Sequence, residues 1–331
     1  MLRVGLDVSP LALTKAGTAR YLTSLLDGLD AEPEVEVHRY ELDGAGRVKK
    51  LRRDALWYRF SLPRAARHDG VDVLHAPTMR APFGSSVPLV VTIHDLAVLR
   101  RPETFNAWTR RYSAYALPRV ARAAGAIVVG SEFSRDEVVE LLDVPRDRIR
   151  VIPYGVGPPF TANGPAADGD YVLTVSTLEP RKNLTRLVEA FRRAGLEGLQ
   201  LRVVGAEGWG DVRVHGDRVH TLSRVNDDEL ARLYRGAAAV VYVSLYEGFG
   251  LPVLEAMACG KPVVAPAGRP YNEFANGIAF EVDPRDVDSI AHGLQQAVAS
   301  GSQPVGVRRA SDFTWERAVQ AHVELYKELT A

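Results

Sequence analysis

Short, mainly apolar runs recur along this chain at strand length, with helical patterns between them, and no other feature limits its possible folds as strongly. Residues 2–8, 71–75, 89–94, 126–130 and 149–152 are such runs. A strand wetted on one face alternates apolar with polar residues, whereas a strand covered by helices on both faces is apolar throughout. Leu22, Leu25, Leu26 and Leu29 follow the helical period, and Ser134-Arg-Asp-Glu137 has capping-box spacing ahead of Val138, Val139, Leu141 and Leu142. The pattern predicts an α/β chain with doubly wound parallel sheets.

Between 153 and 170 the composition turns to Gly, Pro, Ala and Asp, which bury little. The alternation then resumes, with strands expected at 171–177, 201–204, 240–243, 262–265 and 278–282. Leu184, Leu187, Val188 and Phe191 share one helix face, and Val287, Ile290, Ala291, Leu294 and Val298 share another. A length of 331 residues accommodates two such domains. The expected division is 1–160, 161–312, and a final helix within 313–331.

Hydrophobic residues at 46% and charged residues at 25% are ordinary globular values. The longest apolar stretches, 237–243 and 251–254, fall short of the ~20 residues a membrane span needs. The first residues run into a strand pattern without the charged and apolar regions of a secretory signal. The single cysteine, Cys259, excludes an internal disulfide and a multi-cysteine metal site. A cytoplasmic protein is expected. Lysine plus arginine equals aspartate plus glutamate at 41 each, so the basic excess of a nucleic-acid binder is missing. Residues 47–67 are locally basic, with Trp57, Tyr58 and Phe60 among the cations, and are a candidate for peripheral contact with an anionic membrane face.

The most informative segment is Ser244-Leu-Tyr-Glu-Gly-Phe-Gly-Leu-Pro-Val-Leu-Glu-Ala-Met-Ala-Cys-Gly260, a loop entering a helix. Pro252 suits the first helical turn and Gly260 the position just past the last. Gly248 and Gly250 let backbone N–H groups approach a ligand, and the helix N-terminus adds partial positive charge where phosphate would sit. Thr174-Val-Ser-Thr-Leu-Glu-Pro-Arg-Lys-Asn-Leu184 also joins a strand to a helix, with Asn183 as the expected cap and Arg181 and Lys182 beside the helix end. Two cations there suit neutralisation of a departing diphosphate. His94 and Asp95 end the strand at 89–94, and Asp7 ends the first strand, where open α/β sheets meet their ligands.

The two glutamates, Glu247 and Glu255, with the intervening Gly-Phe-Gly-Leu-Pro and the following Ala-Met-Ala-Cys-Gly-Lys-Pro, resemble the donor signature of family 4 glycosyltransferases. Lys15-Ala-Gly-Thr-Ala-Arg-Tyr21 resembles the glycine loop of the same family, with Ala19 in place of its second glycine. Thr92-Ile-His-Asp95 is shared with its bacterial mannosyltransferase-like branch. Further matches at 131–134, 151–156, 226–234 and 313–317 extend the resemblance over nearly the whole chain. Residues 265–280 are shorter than the commoner pattern, and Ser176 stands where some relatives carry arginine.

The resemblance implies a GT-B architecture, two Rossmann-like domains across an interdomain cleft, with the donor mainly on the second and the acceptor mainly on the first. It also implies the return of the final helix to the first domain. It implies a retaining hexosyltransferase using a nucleotide sugar, GDP-mannose by subgroup, toward a glycan, lipid-linked or small-molecule acceptor, with no metal or other cofactor. Arg181, Lys182, Glu247 and His94 would carry the transfer, with Glu247 and His94 holding the sugar. Gly17, Gly248, Phe249, Gly250 and Leu251 would line the donor, Val225 would lie near the base, and Glu255 would hold the ribose. Asp7 and Asp95 are weaker candidates for orienting an acceptor.

A nicotinamide dehydrogenase would share the sheet type, but no Gly-x-Gly-x-x-Gly follows any of these strands. A P-loop nucleotidase requires Ser or Thr after Gly260-Lys261, where Pro262 stands. A non-catalytic sugar-binding protein is the alternative of a different class, to be separated from an enzyme by donor turnover. A UDP-sugar-dependent transferase is the alternative within the same class.

Overall fold

Every residue of β3 (Val73–Ala76), β4 (Leu89–Thr92) and β5 (Ala126–Val129) is buried, as strands covered on both faces are. With β1 (Leu2–Asp7), β2 (Val35–Tyr40) and β6 (Ile149–Val151) they form a six-stranded sheet ordered β2-β1-β3-β4-β5-β6, parallel throughout. The computed structural model describes residues 1–12, 17–42, 53–210, 212 and 214–331. These divide into Met1–Gly155 with Trp315–Ala331, and Val156–Thr314. Among the described residues no helix is long and apolar enough to cross a membrane.

In the first unit, α1 (Gly17–Ala31), α2 (Leu62–His68), α3 (Ala107–Ala123) and α4 (Glu132–Leu142) accompany the sheet. The start of α4 differs from the sequence expectation. Ser131, directly after β5, is the N-cap, its Oγ accepting from the Ser134 N–H at 3.0 Å, so Ser134 lies inside the first turn. Glu137 is therefore not a capping partner; its carboxylate takes the Arg100 guanidinium, Nε to Oε2 at 2.8 Å and Nη2 to Oε1 at 2.7 Å. Of the basic segment 47–67, residues 47–52 lie outside the described residues. Its described end has Arg59 and Arg64 over the Phe60 ring, each at 5.6 Å.

The last helix, α10 (Trp315–Thr330), is fastened to this unit by a buried chain of hydrogen bonds. His322 Nδ1 is 2.7 Å from the Ala318 carbonyl, which only accepts, so that nitrogen carries the proton and Nε2 of the neutral ring accepts. The rest of the polarity follows. Tyr21 donates to His322 Nε2 at 2.9 Å and accepts from Thr92 at 3.0 Å; Thr92 accepts from His75 Nε2 at 2.8 Å; His75 Nδ1 accepts from Tyr326 at 2.6 Å. One unbroken donor direction thus leaves α10 at Tyr326, crosses β3, β4 and α1, and returns to α10.

Burial lowers the pKa of His75 and brings that of His322 down to about 4. The unfolded chain therefore binds more protons than the folded one below the ordinary histidine value of 6.5. This contribution to stability is fully present above pH 6.5 and is lost as pH falls toward 4. The denaturant midpoint should fall as pH drops from 7 to 5, before most carboxylates titrate; a flat midpoint over that window contradicts the assignment.

The second unit repeats the plan. Strands β7 (Tyr171–Val175), β8 (Gln200–Val204), β9 (Val219–Leu222), β10 (Ala239–Val241), β11 (Val263–Pro266) and β12 (Phe280–Val282) form an all-parallel sheet ordered β12-β11-β10-β7-β8-β9. Its helices are α5 (Leu184–Arg193), α6 (Asp227–Gly236), α7 (Leu251–Ala258), α8 (Val287–Ser300) and α9 (Pro304–Ala310). Leu187 and Phe191 of α5 share a core with Ile290 and Leu294 of α8 and with Val172, Leu201 and Val241 of the sheet. Strand β7 lies between β10 and β8, so the strand order reverses there. The connections leaving β7 and β10 lead to opposite sides of the strand order, and the C-terminal ends of strands at such a reversal are the usual place for a ligand.

Candidate functional site

Both donor-like segments converge at that reversal. After β7 the chain makes a tight turn at Pro180–Lys182, and after β10 it runs through 242–250 into α7. The two loops are laced together by hydrogen bonds: the Leu245 N–H donates to the Arg181 carbonyl at 2.9 Å, and the Arg181 side chain donates through Nη1 to the Tyr246 carbonyl at 2.7 Å.

At the centre is Glu247. Its Oε1 accepts from Lys182 Nζ at 2.6 Å, Ser244 Oγ at 2.6 Å and Tyr242 Oη at 3.0 Å, while Oε2 lies 3.0 Å from Arg181 Nη1. Burial opposes ionisation of this carboxyl, but Arg181 and Lys182 outweigh it and hold the group down at about 2. Lys182 is itself lowered, first by burial and then by Arg181, with Glu247 and Glu179 acting the other way. Arg181 also pairs with Glu179 at 2.8 Å, a carboxyl raised by burial against the pull of Arg181 and Lys182. Four charges, all nearly removed from water, therefore balance one another two against two.

The sequence placed Arg181 and Lys182 beside the N-terminus of α5. The structure turns both into the cluster around Glu247, with Arg181 only 9% exposed. Asn183 occupies the expected N-cap position but does not cap with its side chain. It adopts a left-handed conformation, φ +61°, and its amide donates instead to the carbonyls of Val243 at 3.1 Å and Pro284 at 2.6 Å. The residue that was to start a helix thus ties the turn to two neighbouring loops.

Gly250 has φ +109°, and a Cβ there would stand 2.7 Å from the Tyr271 ring, so the entry to α7 requires glycine. Pro252 falls in the first turn of α7. At the other end the Gly260 N–H meets the Met257 carbonyl at 2.9 Å and the Lys261 N–H meets the Ala256 carbonyl at 3.0 Å, a Schellman termination around a left-handed glycine. Phe249 turns away from the loop and stacks on Phe274 at 5.0 Å, so this residue offers a ligand its backbone. Glu255, 1% exposed, accepts from the Tyr234 hydroxyl at 2.9 Å. Gly248 and Leu251 lie in the same loop and helix start, while Val225 sits half-buried just ahead of α6. Glu273 pairs with Arg269 on its own helical turn.

In the first unit, His94 Nδ1 is 2.7 Å from the Tyr154 hydroxyl, and burial brings its pKa down to about 4, so the ring is neutral near pH 7. Gly17 is the exposed first residue of α1; residues 13–16 beside it lie outside the described residues. Asp95 caps the next helical turn through the Ala97 N–H at 2.9 Å. Asp7 is fully buried and bound to Ser9 Oγ at 2.6 Å and to Tyr58 at 3.1 Å, with burial raising its pKa. Both carboxylates thus serve local structure here. Among the described residues no group of three or more His, Cys, Asp or Glu side chains is placed to hold a metal ion.

Sequence reasoning missed Tyr242, Ser244 and Glu179. A usable signal existed for the first two. They lie two residues apart at a strand end, so their side chains leave on one face, just ahead of the loop that carries Glu247.

Two family profiles cover the chain: Glycosyltransferase Family 4 matches residues 12–158, and Glycosyl transferases group 1 matches residues 160–310. The O-antigen chain mannosyltransferase B of Escherichia coli is 32% identical over 284 residues, covering 78% of this chain and 74% of that protein. The MMP alpha-(1->4)-mannosyltransferase of Mycolicibacterium hassiacum is 27% identical over 277 residues, covering 74% of this chain and 66% of that protein. Among solved structures, sucrose-phosphate synthase from Thermosynechococcus elongatus superposes with a TM-score of 0.77 at 18% identity, covering 99% of each chain. Anabaena HepE in complex with UDP and glucose gives a TM-score of 0.72 at 19% identity, covering 99% of this chain and all of that one.

Two Rossmann-like units of the GT-B kind, carrying these family matches, define a glycosyltransferase. The chain belongs to glycosyltransferase family 4 and is mannosyltransferase-like within it.

Proposed function

We propose that this glycosyltransferase moves a hexosyl group, mannose from GDP-mannose, to a hydroxyl of a glycan, lipid-linked or small-molecule acceptor with retention of anomeric configuration. The observation that carries the reading is the Arg181–Lys182–Glu247 cluster at the strand-order reversal of the second unit. As the bond between the anomeric carbon and the diphosphate oxygen breaks, negative charge grows on the leaving group. Arg181, Lys182 and the N–H groups of 248–251 are assigned to receive it, as cations and a helix N-terminus suit a growing negative charge. The acceptor oxygen bonds to the anomeric carbon, and its proton departs with the leaving group or solvent. Glu255 is assigned to the ribose and Val225 to the vicinity of the base; in the first unit, His94 is assigned to contact with the sugar. Similarity to two mannosyltransferases supports the choice of mannose.

A panel of GDP-, UDP- and ADP-sugars, assayed for protein-dependent release of nucleoside diphosphate with and without candidate acceptors, tests the donor. Highest turnover with GDP-mannose supports the reading. Highest turnover with a UDP-sugar replaces the donor, and binding without turnover of any donor removes the activity. The anomeric configuration of the product, read by NMR, tests retention.

Peripheral membrane contact, expected of residues 47–67, belongs to the same reading, and one face of α3 adds support for it. Trp108, Arg111, Tyr112, Tyr115, Arg119 and Arg122 fall on one stripe of this helix, which contains no acidic residue. Trp108 is 62% exposed and Tyr115 49%. Aromatic rings suit the headgroup level, and arginines pair with lipid phosphate. Co-sedimentation with vesicles should rise with anionic lipid content and fall in Trp108→Ala/Arg111→Gln/Arg119→Gln; binding unaffected by either change would refute the contact.

A further inference from the structure

Helix α7 presents the Glu247–Gly250 loop at one end and an open pocket of about 430 Å³ at the other, beside Gly260. Eight helical residues, about 12 Å of axis, separate them. The pocket walls include Arg235, Lys261 and Arg308, with Ser302 and Cys259 between them and no carboxylate. Among the described residues none of the three cations has an acidic partner.

Elsewhere in this unit Arg181 and Lys182 are matched by Glu179 and Glu247. Of the pocket cations, Arg235 and Lys261 are half-buried and Arg308 is exposed, and no acid pairs with them among the described residues. Arg235 is held rigidly by carbonyls alone: Nε to Pro165 at 2.7 Å, Nη1 to Pro159 at 3.0 Å and to Thr161 at 3.3 Å. These bonds fix the guanidinium and leave its charge uncompensated. Lys261 is lowered by burial, and only Cys259 acts against that. The Cys259 thiol is itself pushed up to about 12, so it is neutral near pH 7 and supplies no counter-charge. Three positive groups in a concavity, one of them preorganised, form an anion receptor. The volume suits a molecule larger than a bare inorganic ion.

We propose that this pocket binds a small organic phosphate, a phosphate monoester of a sugar or similar polyol, at a site separate from the donor loop. Arg235 and Lys261 face the phosphoryl group, Arg308 closes the open side, and Ser302 offers a hydroxyl to the polyol.

Calorimetric titrations with glucose 6-phosphate, inorganic phosphate and sulfate test this on wild type and on Lys261→Ala/Arg308→Ala. Each is run with and without GDP or UDP, so that the pocket and the proposed donor reading can fail separately. The expected result is submillimolar binding of the hexose phosphate to wild type, at least tenfold weaker in the double variant, tighter than inorganic phosphate, and unaffected by nucleoside diphosphate. Nucleotide-sugar turnover should change less than twofold in the variant, whose two residues lie outside the Glu247 cluster. Equal affinity in both proteins, displacement by nucleoside diphosphate, or an equally weak response to all three anions, an adventitious ion only, would each overturn the proposal. Lys261→Gln, titrated in parallel, gives the same decision if the double variant folds poorly.

Discussion

Lys182→Ala should lower nucleotide-sugar turnover by about 10²-fold or more while leaving the fold intact, because a preorganised charge aimed at a leaving group contributes on that scale. Lys182 Nζ is held by Glu247 at 2.6 Å and Tyr242 at 2.8 Å, so its position is set before any ligand arrives. In the alanine variant Glu247 keeps Arg181, Ser244 and Tyr242, which retains a charge partner for the buried carboxylate. The effect should therefore appear in kcat with a modest change in the denaturation midpoint. Turnover within threefold of wild type would remove Lys182 from the mechanism.

Glu247→Gln should have the second large effect, with an opposite response to ligand. Removing the carboxylate leaves Lys182 without its closest counter-charge, while Arg181 keeps Glu179 and the Tyr246 carbonyl. Breaking a buried ion pair from one side typically destabilises by roughly 3–5 kcal/mol. The lower end applies here, since glutamine keeps the shape and Glu179 remains. A nucleoside diphosphate bound at these cations would replace the missing charge, so it should raise the melting temperature of the variant by more than that of wild type. Turnover should still fall, because the sugar loses its proposed contact. A ligand-induced shift no larger than in wild type would show that Glu247 does not compete with phosphate for Arg181 and Lys182.

That competition changes the picture of Glu247. The resemblance assigned it to the sugar, but both its oxygens are already engaged by protein donors. In the proposed reading, donor binding at this cluster involves exchange as well as addition: phosphate would have to take the cations from Glu247 before its carboxylate could contact the sugar.

Local patterns made much of this legible. The runs around Val73, Val90 and Val128 read as strands because burial on both faces forbids polar alternation, and Pro252 and Gly260 marked the ends of α7 because helix termini demand those residues. Helix α4 starts three residues ahead of the position the capping-box spacing predicts, because Ser134 has the Ser-x-x-Glu pattern and Ser131 does not; only the end of β5 decides between them. Asn183 was misread for a similar reason. Its side-chain partners, Val243 and Pro284, are 60 and 101 residues away along the chain, and no local window contains them.

The sequence by itself determined the α/β class, the strand and helix alternation, the glycine-bearing loop before α7, and the placing of two cations and two carboxylates on the connections after two strands. These are properties of residue type and short-range spacing. Tertiary structure alone decided that β7 and β10 lie side by side at the strand-order reversal, which turns Glu247 toward Arg181 and Lys182 and draws Tyr242, Ser244 and Glu179 into the cluster. It also decided that α10 is fastened through His75, Tyr21 and His322, and that Arg235, Lys261 and Arg308 meet without an acid. The physical reason is common to all three. Charges and hydrogen-bond donors far apart in sequence are matched, or left unmatched, only when burial takes away the water that would otherwise satisfy each of them separately.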